Sequence, residues 1–356
     1  MNDFLIIGGG IAGVSAAARL ARLGSVTLLE AEDNLAYHAS GRSAALFEEN
    51  YGKPATIALN RASRDFHAAA GVLSPRGLMI VGKADEGADF EHDIAAMNMA
   101  RITPAEARAL VPILDPGVLA FAAHSDAAQD IDTDLLVQTF ARDARAQGAQ
   151  IVTAAQAGAI TRTRQGWAVT TPKGVFEGRM LVNAAGAWVD RVAQMAGVAP
   201  LGFTPLRRSM ARVPAPEGMA PGAWPMLFGP GEHWYMKPDA GALIVSPAEE
   251  DPAEPHDAWA DDMVLAEGIA RYQEMVTAPV TRLLASWAGL RTFAPDRTLV
   301  IGPDRREPAF FWLAGQGGYG MQSSPAASRL AADLIGGTAP EIDPATVAAL
   351  SPARFG

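Results

Sequence analysis

Three glycines near the start of the chain, Gly8, Gly10 and Gly13, constrain its fold more than any other feature. They form a Gly-x-Gly-x-x-Gly motif after a continuous apolar run (4–7) that predicts a buried strand, and before a stretch (14–23) that predicts a helix. Gly8 allows a tight turn, Gly10 lets the backbone approach a pyrophosphate, and Gly13 permits close packing of helix on strand. The start of the helix offers unpaired N–H groups to phosphates. The motif therefore predicts a dinucleotide-binding β–α–β unit.

An acidic residue, Glu30, ends the second predicted strand (25–30) of this unit. It follows Gly10 at the spacing that brings a carboxylate to a ribose hydroxyl, and an acid there disfavours the 2′-phosphate of NADP. The motif alone does not separate NAD from FAD. A second glycine-rich segment (315–320) lies between a predicted strand and a helix near the other end of the chain. Two such loops favour FAD, the longer ligand, held along its length.

Composition excludes several kinds of protein and site. With 356 residues the chain exceeds the roughly 250–300 residues that one hydrophobic core serves, so we expect two domains. The absence of cysteine excludes disulfides, a thiolate nucleophile, an iron–sulfur cluster and a cysteinyl bond to a cofactor. A net charge of −10 argues against nucleic acid as a partner. No metal-ligand spacing and no integral membrane segment is found, so we predict no metal and a cytoplasmic protein that would meet a membrane only through its electron acceptor.

The remaining patterns predict how the elements are distributed. Apolar runs predict short buried strands, and alanine- and leucine-rich stretches with capping residues predict helices. The segment 201–288 is rich in proline and tryptophan, which favours sheet and long loops. Strands are predicted at 78–81, 181–182, 299–302 and 311–314, and helices at 60–70, from 103, from 134 to 147 and at 324–335.

Several motifs together resemble the D-amino acid oxidase/glycine oxidase family of flavoproteins. Besides the first glycine motif and Glu30, they are HASGRSAA at 38–45, NAAGAW at 183–188, WAGLR at 287–291 and GQGGYG at 315–320. The likeness runs nearly end to end. Within the family it is greatest to the bacterial FAD-dependent D-arginine dehydrogenases.

The resemblance implies an α/β fold in which a Rossmann-type FAD-binding domain carries an inserted α+β substrate domain with a mixed or antiparallel sheet. Because the nucleotide-binding pattern occurs at both ends and in the middle of the chain, we predict that both domains are discontinuous. The FAD-binding domain would comprise 1–75, 130–205 and 290–356, and the substrate-binding domain 76–129 and 206–289.

The implied reaction is the oxidative deamination of a D-amino acid. A hydride passes from Cα to the flavin, and water hydrolyses the imino acid to a 2-oxo acid and ammonia. His38 resembles a residue of the cofactor-side loop, so we interpret it as structural, and no strong protein base is evident. The resemblance also implies non-covalent FAD bound by Gly8, Gly10, Ile11, Ala12, Gly13, Glu30, Ser40, Gly41, Arg42, Ser43, Ala44, Ala185, Gly186, Trp188, Gly315, Gly317, Gly318, Tyr319, Gly320 and Met321.

Four residues are implied to carry the chemistry. Arg208 and Arg291 would clamp the substrate carboxylate through their planar forks, with the hydroxyl of Tyr235 as a further donor. Arg291 lies in an apolar setting where an arginine without a partner would be costly. Tyr51 matches a tyrosine of a mobile lid, although a half-buried loop aromatic would fit the sequence equally well.

Two positions depart from the arginine enzymes. Leu46 replaces a histidine near the substrate, and Leu78 replaces the glutamate that pairs with the substrate guanidinium. A buried guanidinium without a carboxylate partner is unfavourable. We therefore predict neutral or apolar D-amino acids as substrates, in a pocket that Met226, Phe228 and Gly318 complete.

Alternatives remain at this point. Glu48 and Glu49 are near enough in sequence to replace the lost acid. The chain could instead be a glycine, sarcosine or other secondary-amine oxidase that makes hydrogen peroxide, or a flavin-binding subunit of a larger complex. The electron acceptor, whether a quinone, oxygen or another molecule, is open.

Overall fold

The structure is a computed structural model that describes residues 1–356. It contains nine α-helices and twenty strands in three sheets. Up to residue 146 the elements are β1 (Asn2–Ile7), α1 (Ile11–Leu20), β2 (Val26–Leu29), β3 (Leu46–Phe47), α2 (Pro54–Ala70), β4 (Leu73–Pro75), β5 (Leu78–Gly82), α3 (Gly87–Ala96), β6 (Ala100–Ile102), α4 (Pro104–Leu110), β7 (Phe121–Ser125), β8 (Gln129–Ile131) and α5 (Thr133–Ala146).

The second part of the chain holds most of the strands. They and the remaining helices are β9 (Gln150–Val152), β10 (Ala159–Arg162), β11 (Trp167–Thr171), β12 (Gly174–Asn183), α6 (Val189–Met195), β13 (Thr204–Pro214), β14 (Met226–Phe228), β15 (Tyr235–Asp239), β16 (Ala242–Ser246), β17 (Asp251–Pro252), α7 (Asp262–Gln273), β18 (Ala285–Phe293), β19 (Val300–Pro303), β20 (Phe310–Ala314), α8 (Gly320–Gly336) and α9 (Pro344–Leu350).

The first sheet has a parallel centre in the order β20–β12–β1–β2–β9. The antiparallel strands β10, β11 and β19 extend it. The apolar run of β1 is buried on both faces, because Phe4 and Ile6 pack into one hydrophobic core and Leu5 and Ile7 into another. The helix α1 packs against α5 and α8 on one face. The carboxyl ends of β1 and β12 meet at one edge, where β1 runs into the glycine motif.

The second sheet has the strand order β17–β13–β16–β15–β14–β5–β7–β6. The strand β18 pairs with the edge of β13 opposite to β16. The sheet is antiparallel except where β14 lies parallel to β5. Helices α3, α4 and α7 contact it. A third, small sheet of β3, β8 and β4 holds Leu46 opposite Asp130. The predicted α/β class with a mixed and antiparallel second sheet is confirmed.

Individual elements differ from the predictions in instructive ways. The helix α7 lies inside 201–288, where only sheet and loops were predicted, and begins at an Asp261 cap whose carboxylate accepts from the N–H of Met263 and Val264. The predicted boundaries at 205/206 and 289/290 fall inside β13 and β18, which pair over nine residues and so belong together in the second sheet. The rest of the domain division stays a prediction.

Candidate functional site

The first glycine motif connects β1 to α1 in a turn that accepts no larger residues. Gly8 has φ +108°, and a Cβ there would collide with the carbonyl oxygen of Ala184. A Cβ at Gly13 would collide with the carbonyl oxygen of Gly8. A Cβ at Gly10 would lie 3.1 Å from the Ser40 hydroxyl, a close contact that a larger residue could make only if Ser40 shifted. The turn thus keeps a cradle at the start of α1 free of side chains, as a bound pyrophosphate requires.

Glu30 is buried beside this turn, where the sequence predicted it. Its carboxylate accepts from the N–H of Gly9 and, at 2.8 Å, from the N–H of Glu32. Burial raises the pKa of Glu30, while these two backbone hydrogen bonds oppose the shift. The carboxylate lines the first of three cavities around the site, which has a volume of about 480 Å³. A carboxyl group next to the cradle fits the ribose of a dinucleotide.

The first cavity is also lined by residues predicted from the NAAGAW motif at 183–188. Ala185, Gly186 and Trp188 line it together with Gly8, Gly10, Ser40 and Arg42. His38 lines the same cavity, and its Nε2 lies 2.9 Å from the Glu32 carboxylate, in agreement with a cofactor-side role. The Ser40 hydroxyl accepts from the N–H of Ile11 at 3.0 Å, which fixes the loop against the first turn of α1.

Arg42 is held by the protein itself. Its guanidinium donates to the carbonyl oxygens of Ala258 (2.8 Å) and Ala288 (3.0 Å) and pairs with Asp257. Its own carbonyl oxygen accepts from the Trp287 indole. Although Arg42 borders the first two cavities, its donors are engaged, so it links the loop to β18.

The second glycine-rich segment (315–320) connects β20 to α8 and contacts β18, the strand that carries Arg291. The N–H of Gly317 donates to the carbonyl oxygen of Thr292 in β18 at 2.9 Å, and a Cβ there would strike the Phe293 ring. Gly318 lies against the Arg291 guanidinium, where a Cβ would be 3.1 Å from Nη1. The second cavity, of about 120 Å³, is bordered by Ile11, Ala12, Ser43, Gly317, Gly318, Gly320 and Met321.

Some residues predicted to touch the cofactor border neither cavity. Gly13 packs against the glycine turn, Gly41 against the carbonyl of Ala36, and Gly315 against Phe203. Two others lie close by: the ring of Tyr319 lines the third cavity, and Ala44 packs near Tyr235. The first three are therefore structural glycines, which shape the loops.

The structure brings the two predicted clamp arginines together. Leu206 pairs with Arg291 and Arg208 with Gly289 across β13 and β18, so the two arginines project diagonally from one face of the sheet. Arg208 is 3% exposed, and its Nε donates to the carbonyl oxygen of Glu249 at 2.9 Å. Burial, together with the charge of Arg291, lowers the pKa of Arg208.

The backbone of Arg291 pairs with Leu206, but its side chain makes no hydrogen bond or ion pair with the protein. Burial works against its charge, but the surrounding hydroxyls of Tyr235 and Tyr51 and the Glu232 carboxylate outweigh this and raise the pKa of Arg291. It stays a cation at every ordinary pH. A half-buried cation without a partner is unfavourable, which favours an anionic ligand in front of Arg291.

Both predicted tyrosines lie at this point. Tyr235 is 2% exposed, and its hydroxyl has no hydrogen-bond partner, so it too is free for a ligand. The Tyr51 hydroxyl donates to Oε2 of Glu232 at 3.0 Å, and its ring lies 5.1 Å from that of Tyr319. Burial, and next the charge of Glu232, raises the pKa of Tyr51 well above its ordinary value, so its proton is retained.

The predicted apolar pocket is largely closed. Leu78 and Met226 are 0% and 4% exposed and pack with Tyr235, while Leu46 and Phe228 cover this cluster. Of the predicted pocket residues only Gly318 borders the second or third cavity. Leu78 and Met226 lie opposite each other on paired strands, β5 and β14, and fill the space between them.

The cavity in front of the clamp is lined by charged groups that the sequence did not single out. This third cavity has a volume of about 670 Å³ and includes Glu232, Glu249, Glu250, Arg271 and Arg297 beside both clamp arginines. A Gly-Pro-Gly-Glu turn carries Glu232, and only its position three residues before Tyr235 could have indicated it. Glu48 is buried elsewhere, under the Gln322 amide, and Glu49 pairs with Arg64.

Two general findings bear on the chemistry. No group of three or more histidine, cysteine, aspartate or glutamate side chains is placed to hold a metal ion. None of the helices has the length and apolar character that crossing a bilayer requires.

Comparison with known proteins agrees with this geometry. Glycine oxidase of Pseudomonas aeruginosa is 28% identical over 97% of this chain and 97% of its own length. FAD-dependent oxidoreductase domain-containing protein 1 of Bos taurus is 27% identical, and the match covers 44% of this chain but only 35% of the bovine protein. A D-amino acid dehydrogenase of Xanthobacter autotrophicus matches over 69 residues only, so the particular likeness to D-arginine dehydrogenases is not shown.

Solved structures share the fold at low identity. L-proline dehydrogenase from P. horikoshii has a TM-score of 0.84 with 23% identity and covers 99% of this chain and 97% of its own. L-alpha-glycerophosphate oxidase from Mycoplasma pneumoniae, solved with FAD bound, has a TM-score of 0.85 with 20% identity and covers 94% of both chains. The model of the DAO family, described as FAD-dependent oxidoreductases, matches residues 3–334. The glycine cradle, the buried Glu30 and this match agree: the chain belongs to the FAD-dependent oxidoreductase family, with FAD as its cofactor.

Proposed function

We propose that this protein oxidises the Cα–N bond of a free amino acid, and that the imino acid formed is hydrolysed to a 2-oxo acid and ammonia. The observation that carries the proposal is the pair of Arg208, which is buried, and Arg291, which is half-buried: the Arg291 side chain has no partner in the protein, and the Tyr235 hydroxyl near it is also free. Such a group of donors is suited to a carboxylate.

The residues of this chain would act mainly by positioning the substrate. Arg291 would bind the carboxylate through two parallel N–H groups, and Tyr235 would donate to one of its oxygens. Arg208, tethered to the Glu249 carbonyl, would add charge from a fixed position. When bound, FAD supplies the two-electron acceptor for the hydride that leaves Cα. Holding Cα in one orientation is the largest contribution that the protein makes to such a transfer.

FAD would lie across the first two cavities and be held without a covalent bond. The sequence has no cysteine to form a thioether link. Glu30 would accept from the ribose, the start of α1 would face the pyrophosphate, and the 315–320 loop would support the flavin end. The residues predicted for the cofactor and lining these cavities are proposed as its contacts.

We propose that the substrate has the D configuration and a neutral side chain. Leu46 and Phe228 present apolar surface next to the Tyr235 ring, 5.8 Å from the Phe228 ring, where a substrate side chain would lie. A cationic side chain would be unfavourable in this cluster, because Leu46, Leu78, Met226 and Phe228 offer it no carboxylate. A kcat/KM higher for D-arginine than for D-methionine or D-leucine would contradict this.

A second candidate is the oxidation of glycine or a small secondary amine. The observation in its favour is the closure of the apolar cluster, since Leu78 and Met226 pack on each other and leave little room for a side chain. Glycine oxidase among the relatives is consistent with it. Glycine and sarcosine would then be better substrates than D-methionine, and an oxygen electrode read beside an artificial acceptor would separate oxidase from dehydrogenase.

Anaerobic bleaching of the flavin tests the proposal directly. The purified holoprotein is mixed with glycine, sarcosine and matched D- and L-amino acids, and the visible spectrum shows which of them transfer electrons. We expect Arg291→Met to retain flavin. Its kcat/KM for flavin reduction should fall by at least about 100-fold, because charge-assisted bonds to the carboxylate are lost.

The matched control for the clamp is Arg207→Met. Arg207 neighbours Arg208 on β13 but projects from the opposite face and pairs with Asp251 at 2.9 Å. It should keep normal bleaching. Equal loss in both variants would remove the clamp from the site, and a holoprotein that no amino acid or amine bleaches would favour a flavin-binding subunit.

A further inference from the structure

The third cavity contains two half-buried carboxylates, Asp93 and Glu232, that form no ion pair with a cation of the protein. Glu250 pairs with Arg297 at 2.8 Å and with Arg208 at 3.4 Å, and Asp251 pairs with Arg207. Glu232 takes part in no ion pair within 4.0 Å. Yet its charge is close enough to raise the pKa of Arg291, so the two groups share the cavity without touching.

The orientation of Glu232 is fixed from two sides. The Tyr51 hydroxyl donates to Oε2, which leaves Oε1 without a hydrogen-bond partner. The backbone of Glu232 has φ +55° after Gly231 at +68°, and the Asp93 carboxylate holds this turn by accepting from the N–H of Gly231 at 2.7 Å. A left-handed conformation is unfavourable for glutamate, and such strain persists where the surroundings impose it, often at functional sites.

We propose that Glu232 binds the ammonium group of the amino acid whose carboxylate Arg208 and Arg291 hold. This deepens the proposed function and rests on it. A free amino acid is a zwitterion, and this cavity is lined both by the two clamp arginines and by Glu232, a carboxylate that has no ion-pair partner. Oε1 accepts from the ammonium group, while Tyr51 keeps Oε2 in place. Where water is scarce, such charge-assisted bonds are strong and depend on geometry.

The decisive comparison is between ligands with and without an ammonium group. In Glu232→Gln, the dissociation constants of glycine and D-alanine, measured from anaerobic flavin reduction, should rise about 10- to 100-fold. Acetate and propionate, which share the carboxylate but lack the ammonium, should perturb the flavin spectrum with unchanged or tighter binding, because a nearby negative charge is removed. A merely structural role would weaken both pairs equally.

Two further variants keep the test informative. Glu267→Gln removes the same charge from an exposed position on α7 in the same cavity and should leave all four constants unchanged. Glu232→Asp keeps the carboxylate and should recover part of the loss. Retained flavin in each variant shows that it is folded.

The outcomes distinguish the role of Glu232 from the proposed oxidation of an amino acid, on which it rests. Wild-type protein that bleaches, with a Glu232→Gln variant that binds glycine and D-alanine normally, overturns the role of Glu232 alone. Weakened binding confined to D-lysine would place the bound cation on the substrate side chain and also overturn it. Wild-type protein that no amino acid bleaches overturns both proposals.

Discussion

The carbonyl oxygen of Gly8 occupies the space in which a side chain at position 13 would have to lie. We therefore expect Gly13→Ala to separate α1 from β1 and to abolish FAD binding, since the start of that helix faces the pyrophosphate. Flavin content after purification and the melting temperature measure this. Gly222→Ala is the control, because nothing lies within 4 Å of a Cβ there. Normal flavin content in Gly13→Ala would show that the cradle is not needed.

Glu30 gives a pH dependence with a definite sign. Its pKa is raised above the ordinary value of 4.5, chiefly by burial. The folded state therefore holds this proton more tightly than the unfolded chain, and the stabilisation is present below pH 4.5 and lost as pH rises through the folded pKa. In flavin-free protein, Glu30→Gln should gain stability relative to wild type as pH rises from 4.5 through the raised pKa of Glu30 in the folded state.

Urea unfolding at several pH values measures that difference. Glu177→Gln, an exposed position, should show a difference from wild type that does not change with pH. In the holoprotein we expect Glu30→Gln to weaken FAD binding about 10-fold or more, because a charged acceptor is lost. A stability difference that falls with rising pH would contradict the raised pKa.

Among the elements, the segment that leads into β13 depends on one side chain. Asp190 at the start of α6 accepts from the N–H groups of Leu201, Gly202 and Phe203 at 2.8–3.0 Å. We expect Asp190→Ala to lower the free energy of unfolding by about 2–3 kcal/mol, and Asp190→Asn by less because it keeps one acceptor. Urea denaturation checks this. An unchanged midpoint would show that the segment is held by other contacts.

Helices with a simple apolar period or a capping motif were predicted. A helix in which a side chain replaces a missing backbone hydrogen bond was predicted only in part. α1, α5 and the capping box of Thr103 follow from local patterns. α8 was expected from 324, yet it begins at Gly320 and passes through Pro325. The carbonyl of Met321, which Pro325 cannot bond, accepts instead from the Ser324 hydroxyl at 3.1 Å, a compensation that no helix signal reveals.

The site divides in the same way. Resemblance predicted Arg208, Arg291 and Tyr235; the register of β13 and β18 brings the two arginines together, and Tyr235 on β15 lies near both. The apolar pocket was inferred from residue types alone, and packing closed it, because pairing between β5 and β14 is a long-range property. Glu232 was missed since its role depends on a loop conformation and on a partner, Tyr51, 181 positions away.

At the scale of the whole molecule, the cofactor cavities join segments that are distant in the chain. The first two are lined by the glycine turn, the 38–43 loop, β18 and the 315–320 loop. A ligand that binds only the folded state stabilises it by about 2.7 kcal/mol at 100 times its Kd. FAD added to the flavin-free protein should raise the melting temperature in proportion to the logarithm of its concentration. A melting temperature that does not change would contradict this arrangement.

The hydrogen bond from Gly317 to Thr292 joins the cofactor loop to the strand that carries Arg291, and Gly318 touches the guanidinium itself. A ligand that fixes the conformation of this loop would therefore also fix the position of Arg291. Binding would then be ordered: FAD binds first and the amino acid second. The flavin-free protein would not bind its substrate.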